Sequence, residues 1–194
     1  VKSGMVDRPD VSQYRLVAHL TAAIFIYGLL LWTALGLLAT PQPARLQARP
    51  LFAAVVGTSA LVLMTIIWGG FAAGTDAGFA YNTFPLMEGE LVPSLILPYH
   101  PLYLNFFEDV TTIQFTHRVM ATAVLLAAMG IFIAVRVLGC TGRVRMAASL
   151  LLLAIAAQYG LGALTVVLAV PVPLGVAHQA GAVIVCSLSL WLIF

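Results

Sequence analysis

Apolar residues gather in five runs along the chain, roughly 14–38, 51–73, 114–137, 144–170 and 173–194. Each is long enough to cross a bilayer as a helix, which takes about 20 mostly apolar residues. Pro41, Pro43 and Pro50 bracket the first connection, and Pro171 and Pro173 break the last, since proline interrupts the helical hydrogen-bond ladder. The stretch from Gly74 to Ile113 reads differently. It carries Asp76, Glu88, Glu90, Glu108 and Asp109 among Pro85, Pro93, Pro98 and Pro101. Such a segment cannot span; a structured cap or interfacial segment on one side of the membrane is expected. The expected fold is all-α and integral to a membrane, with five transmembrane helices.

Composition leaves no soluble alternative. The chain is 62% hydrophobic and 8% charged, whereas a soluble domain carries about 25% charged residues. Nine Lys and Arg with seven Asp and Glu cannot cover a soluble fold of 194 residues; lipid removes that need. A net charge of +2 is too small to suggest nucleic acid. Cys140 and Cys186 form neither a CxxC pair nor a CxxCH haem-attachment motif, so no disulfide framework is implied. The chain begins at Val1 without a signal-peptide pattern and ends at Phe194 inside an apolar run. A fragment of a longer protein is expected.

Short loops rich in Lys and Arg stay on the cytoplasmic or matrix side. Arg45 and Arg49 mark the first connection, and Arg136, Arg143 and Arg145 the connection after residue 137. The long acidic segment and the uncharged 168–174 turn then face outward. So does the N-terminal stretch, against the rule, because it carries Lys2, Arg8 and Arg15 beside Asp7 and Asp10. An internal echo is also present: Val17-Ala18-His19 recurs as Val176-Ala177-His178, and a Trp follows each His thirteen residues later, at Trp32 and Trp191. Repeat-built membrane proteins show symmetry of this faint kind.

Ionisable residues inside a span are costly and mark function. His19, His117 and His178 each fall within about two turns of the outer end of an apolar run, so all three are expected at similar depth. A lone helix-borne His often bonds only a neighbouring carbonyl or hydroxyl; three at one depth favour a shared metal. The spans hold no carboxylate and a single cysteine, Cys186, against an iron–sulfur or carboxylate di-iron centre. Haem iron suits neutral imidazoles in an apolar bundle, and zinc suits them less, because nothing supplies four ligands. Ala121, Ala123, Ala180, Gly181 and Ala182 leave room for a flat macrocycle, though small residues also serve ordinary helix packing. Arg118 can snorkel to a propionate or anchor a lipid headgroup, and Gln114 shares its helix face. His100, among Pro98, Tyr99 and Pro101, reads as a surface histidine. Gln158 is an isolated polar residue in the spans, too little for the broken helices of a transporter.

At these residues a family becomes visible. The run WGGFAAGTDAGFAYNTFPLM over 68–87 and the run NFFEDVTTIQFTHR over 105–118 closely resemble haem A synthases of the bacterial and mitochondrial type. VSQYRLVAH over 11–19 resembles the start of that family's fourth helix, and Ala177-His178-Gln179 the eighth. The resemblance implies an eight-helix, pseudo-two-fold architecture. Residues 1–40 would end the N-terminal half with one orphan helix, and 51–194 would form the C-terminal four-helix haem-binding bundle with its outer loop at 74–113. It implies oxidation of the C8 methyl of haem O to a formyl group, giving haem A for terminal oxidases. His117 and His178 would ligate a b-type haem, with Arg118 beside it, and His19 would bind substrate haem. The other histidine of that half and the acidic residue implicated in catalysis would lie in helices absent here, leaving the fragment inactive. An electron donor, haem O synthase or oxidase assembly factors would be partners. The setting would be the bacterial cytoplasmic membrane or the mitochondrial inner membrane. A bis-His cytochrome b subunit that only transfers electrons is the alternative.

Overall fold

The computed structural model describes residues 12–38 and 49–194. Five long helices carry the chain across the membrane: α1 (Gln13–Leu38), α2 (Arg49–Gly74), α4 (Val110–Val137), α5 (Gly142–Val167) and α6 (Val172–Ile193). A single-turn helix, α3 (Asn105–Glu108), precedes α4. The expected all-α membrane fold is therefore the one found. Lys2, Arg8 and Arg45, which entered the orientation argument, lie outside the described residues.

Helices α2, α4, α5 and α6 pack neighbour to neighbour in a closed ring, and α1 lies against α2 and α6. Helices α4 and α6 thus occupy opposite corners. Buried residues recur at helical spacing: Leu51, Val55 and Val62 on α2, Val124, Ala128, Ile131 and Val135 on α4, Ala147, Ala148, Leu151 and Ile155 on α5, Val185 and Leu192 on α6. These positions put one stripe of each helix toward the bundle axis. They run from the end of the bundle where the α4–α5 connection lies to about its mid-height. The outer half of the axis is filled differently, by the histidines described below.

Lipid offers backbone and hydroxyl groups no partner, so each must find one inside the protein. Within the helices the hydroxyls bond back one turn: Ser59 to the Val55 carbonyl at 2.9 Å, Thr165 to Leu161 at 2.7 Å and Ser189 to Val185 at 2.9 Å. Helix α1 docks closely on α2 because Gly70 and Gly74 lack side chains. A Cβ on Gly70 would meet Leu20 at 3.0 Å, and one on Gly74 would meet the Gln13 backbone at 2.8 Å. Helices α1 and α6 run parallel: Tyr27 bonds Ser187 at 2.7 Å, and the Trp32 and Phe194 rings meet at 5.4 Å.

The segment between α2 and α4 folds as an ordered cap. Asn105, fully buried, accepts from the Tyr99 amide at 2.7 Å and donates to the carbonyls of Tyr99 and Leu102. Asp109 caps α4, accepting from the Thr112 amide at 2.7 Å and from its hydroxyl at 2.6 Å. The Thr112 hydroxyl oxygen also accepts from the Leu97 amide at 3.1 Å, so one carboxylate fixes both the helix start and the cap. Asn82 donates to the Val166 carbonyl at the end of α5, at 2.9 Å. Glu108 accepts from Gln13 at 3.0 Å and from the Tyr14 hydroxyl, which ties α1 to the cap. Phe107 packs against Trp68 and Phe71.

Two helix ends depart from the hydropathy pattern. Helix α4 begins at Val110 rather than near residue 114, because the Asp109 cap starts the helix there. Helix α5 stops at Val167 rather than near 170, because Ala169 and Val170 take left-handed conformations, with φ of 56° and 54°. A β-branched residue resists that region; here the Val170 side chain lodges 2.9 Å from where a Cβ on Gly78 would stand.

Replacing Asp109 by Ala removes the cap and unties Leu97 through Thr112. A loss of about 1 kcal/mol is expected, read as a lower unfolding midpoint in detergent with faster proteolysis around 97–105. An unchanged midpoint and cleavage pattern would contradict that role.

Candidate functional site

His117 comes from α4 and His178 from α6, on opposite corners of the bundle, yet their rings meet at the axis. The ring centroids are 6.4 Å apart and the planes stand at 81°. The Nδ1 atoms of both imidazoles are buried without a hydrogen-bond partner. A buried polar atom left unpaired costs about 1–3 kcal/mol, so the pair is incomplete by itself.

The spacing suits one ion between the rings. Metal–imidazole bonds of about 2 Å on opposite sides of one ion, with each nitrogen about 1 Å from its ring centre, put the centroids roughly 6 Å apart. No cluster of three or more His, Cys, Asp or Glu occurs among the described residues. A bare ion such as zinc needs about four protein or water ligands. A porphyrin brings its own four, so haem iron needs only the axial pair the protein supplies. The donor set therefore fits haem and does not fit zinc.

Other buried polar atoms without partners are Trp68 Nε1, Gln114 Oε1 and Arg118 Nε. Trp68 precedes the glycine that faces His117, and Gln114 and Arg118 flank His117 on α4. Arg118 neither snorkels freely nor hangs in the lipid. Its Nη1 donates to the Thr83 carbonyl at 2.8 Å and its Nη2 to Tyr81 at 2.8 Å, and Gln114 donates to Tyr81 at 3.1 Å. The guanidinium thus holds the cap over the site and leaves Nε turned elsewhere. Phe84 lies beside the guanidinium at 5.9 Å and beside the Tyr159 ring at 5.7 Å. Tyr159 in turn bonds Thr122 at 3.0 Å.

The room for the two rings is made by glycines on neighbouring helices. A Cβ on Gly69 would stand 3.1 Å from His117 Cε1, and one on Gly162 would stand 2.8 Å from His178 Cε1. The residues expected to provide space were instead Ala121, Ala123, Ala180, Gly181 and Ala182. At Gly181 that expectation fails: the Gln158 side chain fills the space a Cβ would take. Gln158 donates to the His178 carbonyl at 2.6 Å. Nothing in hydropathy marked Gly69 or Gly162, since glycine is common in spans and its neighbour cannot be read from one helix.

His19 does not join the pair. It lies exposed on α1, whose Val17 and Leu20 face α2. Its level is nonetheless shared, because the Tyr27–Ser187 register carries His19 to Gln179, the neighbour of His178. His100 is exposed in the cap, as expected for a surface residue, and Cys140 and Cys186 are free thiols.

The family model described as COX15-CtaA, cytochrome oxidase assembly protein, matches residues 1–190. A protein named heme A synthase from Nitrosospira multiformis is 44% identical over 193 residues, covering 98% of this chain and 54% of that relative. Bovine heme A synthase COX15 is 40% identical over 201 residues, covering 99% of this chain and 48% of its own. The human protein of that name is 39% identical over 193 residues, covering 98% and 47%. The chain thus spans about half the length of the curated relatives it matches. No solved structure matches.

Substituting Arg118 by Ala would release the Tyr81 and Thr83 carbonyls together. Cleavage by added protease near 80–84 is expected to accelerate, and Lys, a single-point donor, is expected to restore resistance only in part. Wild-type cleavage in the Ala variant would show that the cap does not depend on this side chain.

Proposed function

Because the chain belongs to the COX15-CtaA cytochrome oxidase assembly family, we propose that it forms the haem-holding bundle of a haem A synthase. In this reading the whole protein oxidises the C8 methyl of haem O to a formyl group. It works in the bacterial cytoplasmic membrane or the mitochondrial inner membrane. The observation that supports it is the His117–His178 pair, two rings 6.4 Å apart with unpartnered Nδ1 atoms.

A haem held by two imidazoles has no open iron position and supplies one-electron transfer. The rest is the work of the protein's own groups. His117 and His178 hold the iron of a b-type haem from opposite corners of the bundle. The inner core closes the site from one side and the cap from the other, so water is kept from the ring plane. Arg118 keeps its buried Nε for a propionate, a charge-assisted contact in an apolar setting. His19 serves the substrate haem at the same depth, on the open face of α1. Its partner ligand would come from the half of the relatives that this chain does not span.

An electron-transferring cytochrome b would use the same His pair. Family membership favours the synthase, and the two readings part on chemistry. The purified chain is expected to show a low-spin haem spectrum that disappears in His117→Ala and in His178→Ala. Full haem content in both variants would falsify the ligand assignment. Full-length protein supplied with haem O should yield haem A in extracted pigments, and recovery of haem O alone would favour the cytochrome b reading. These 194 residues by themselves are expected to leave haem O unconverted, and haem A formed by them would contradict the division of labour between the halves.

A further inference from the structure

We infer that Gly69 and Gly162 form two matched seats that fix the planes of the ligand imidazoles, and that Gln158 is a positioning residue clamping the second. The inference rests on the ligand assignment proposed above.

The match is in the atoms. At Gly69 a Cβ would meet Cε1, Nδ1 and Nε2 of His117 at 3.1, 3.7 and 3.9 Å; at Gly162 it would meet the same atoms of His178, in the same order, at 2.8, 3.4 and 3.5 Å. Each ring is thus laid on bare backbone. Thr65 and Gln158 stand four residues, about one helical turn, before Gly69 and Gly162. A metal-bound imidazole is normally oriented by the acceptor its other ring nitrogen finds; both Nδ1 atoms lack one among the described residues, which leaves orientation to the glycine surfaces.

The seats differ in one respect. Thr65 spends its hydroxyl on the Leu61 carbonyl of its own helix, at 2.7 Å. Gln158 reaches across to α6 and donates to the main-chain carbonyl of His178 itself, at 2.6 Å. It does so through the space left by Gly181. The second ligand is therefore held at its ring by Gly162 and at its peptide by Gln158. With seats on α2 and α5, which occupy the two remaining corners of the bundle, the ring planes stand at 81°. Near-perpendicular axial imidazoles leave the iron dπ orbitals almost degenerate, which gives the ferric haem a highly anisotropic low-spin electron paramagnetic resonance signal. Rings free to turn toward a common plane give a rhombic one.

The test uses full-length, haem-loaded protein and that ferric signal, together with the rate of haem loss to a scavenger. Wild type should give the highly anisotropic signal. Gly69→Ala, Gly162→Ala and Gln158→Ala should each shift it toward the rhombic form and speed haem loss roughly tenfold or more, the usual size of an outer-shell effect. Gly160→Ala, on α5 with nothing within 4 Å of its Cβ position, should leave signal and rate unchanged. Should an alanine at either glycine prevent folding, Gln158→Ala alone decides, since it removes bulk and adds none. An unshifted signal in the folded variants would overturn the seats while the ligand assignment stands. A wild type without any low-spin signal would overturn both.

Discussion

Everything in this fold turns on a rule that lipid imposes: a polar atom inside the membrane must find its partner within the protein. The helices obey it closely. Serine and threonine hydroxyls return to carbonyls one turn back, and the cap amides find Asn105, Thr112 and Asp109. The rule is broken where His117 and His178 meet, with both Nδ1 atoms unpaired. Trp68, Gln114 and Arg118 add further unpaired atoms around the same level. The hydroxyls of the bundle find partners within it, and the unpaired atoms gather around the His117–His178 pair.

That band explains the layering of the molecule. The inner half is an aliphatic plug, drawn from α2, α4, α5 and α6 at helical spacing. It sets the helix separation and registers the corners. The outer half gives up packing to admit two rings, which reach the axis from diagonal helices rather than adjacent ones. Rings from diagonal helices face each other across the axis, whereas rings from adjacent helices would meet at an angle. The cap then closes the outer end. Arg118 is central to this, because its two Nη donors bind the cap main chain directly over the site.

Much of this was legible in the residues. Hydropathy placed all five spans within a few residues of their ends, since nothing but an apolar run of that length can serve. The intramembrane histidines at matched depth include the two whose rings meet at the axis, and the 68–87 and 105–118 motifs resembled the family to which the chain belongs. Local hydrogen bonding moved the helix ends, and hydropathy is blind to it: Asp109 drew α4 out to Val110, and a left-handed Val170 ended α5 early. The seats were hidden for a different reason. Gly69 sits in a run where Gly70 faces α1 and Gly69 itself faces His117; adjacent glycines with different neighbours look identical until the helices are packed. Gln158 stood out as polar, but only the α5–α6 contact gives it the His178 carbonyl.

The central claim is positional: one iron, between these two rings. Diffraction or electron microscopy of the haem-loaded, full-length protein, with anomalous scattering collected at the iron edge, addresses it directly. The expected result is an iron peak on the line joining the His117 and His178 imidazoles, with a ring nitrogen of each about 2 Å away. Iron bound elsewhere in this bundle, or the two imidazoles occupied by other partners in the loaded protein, would contradict it.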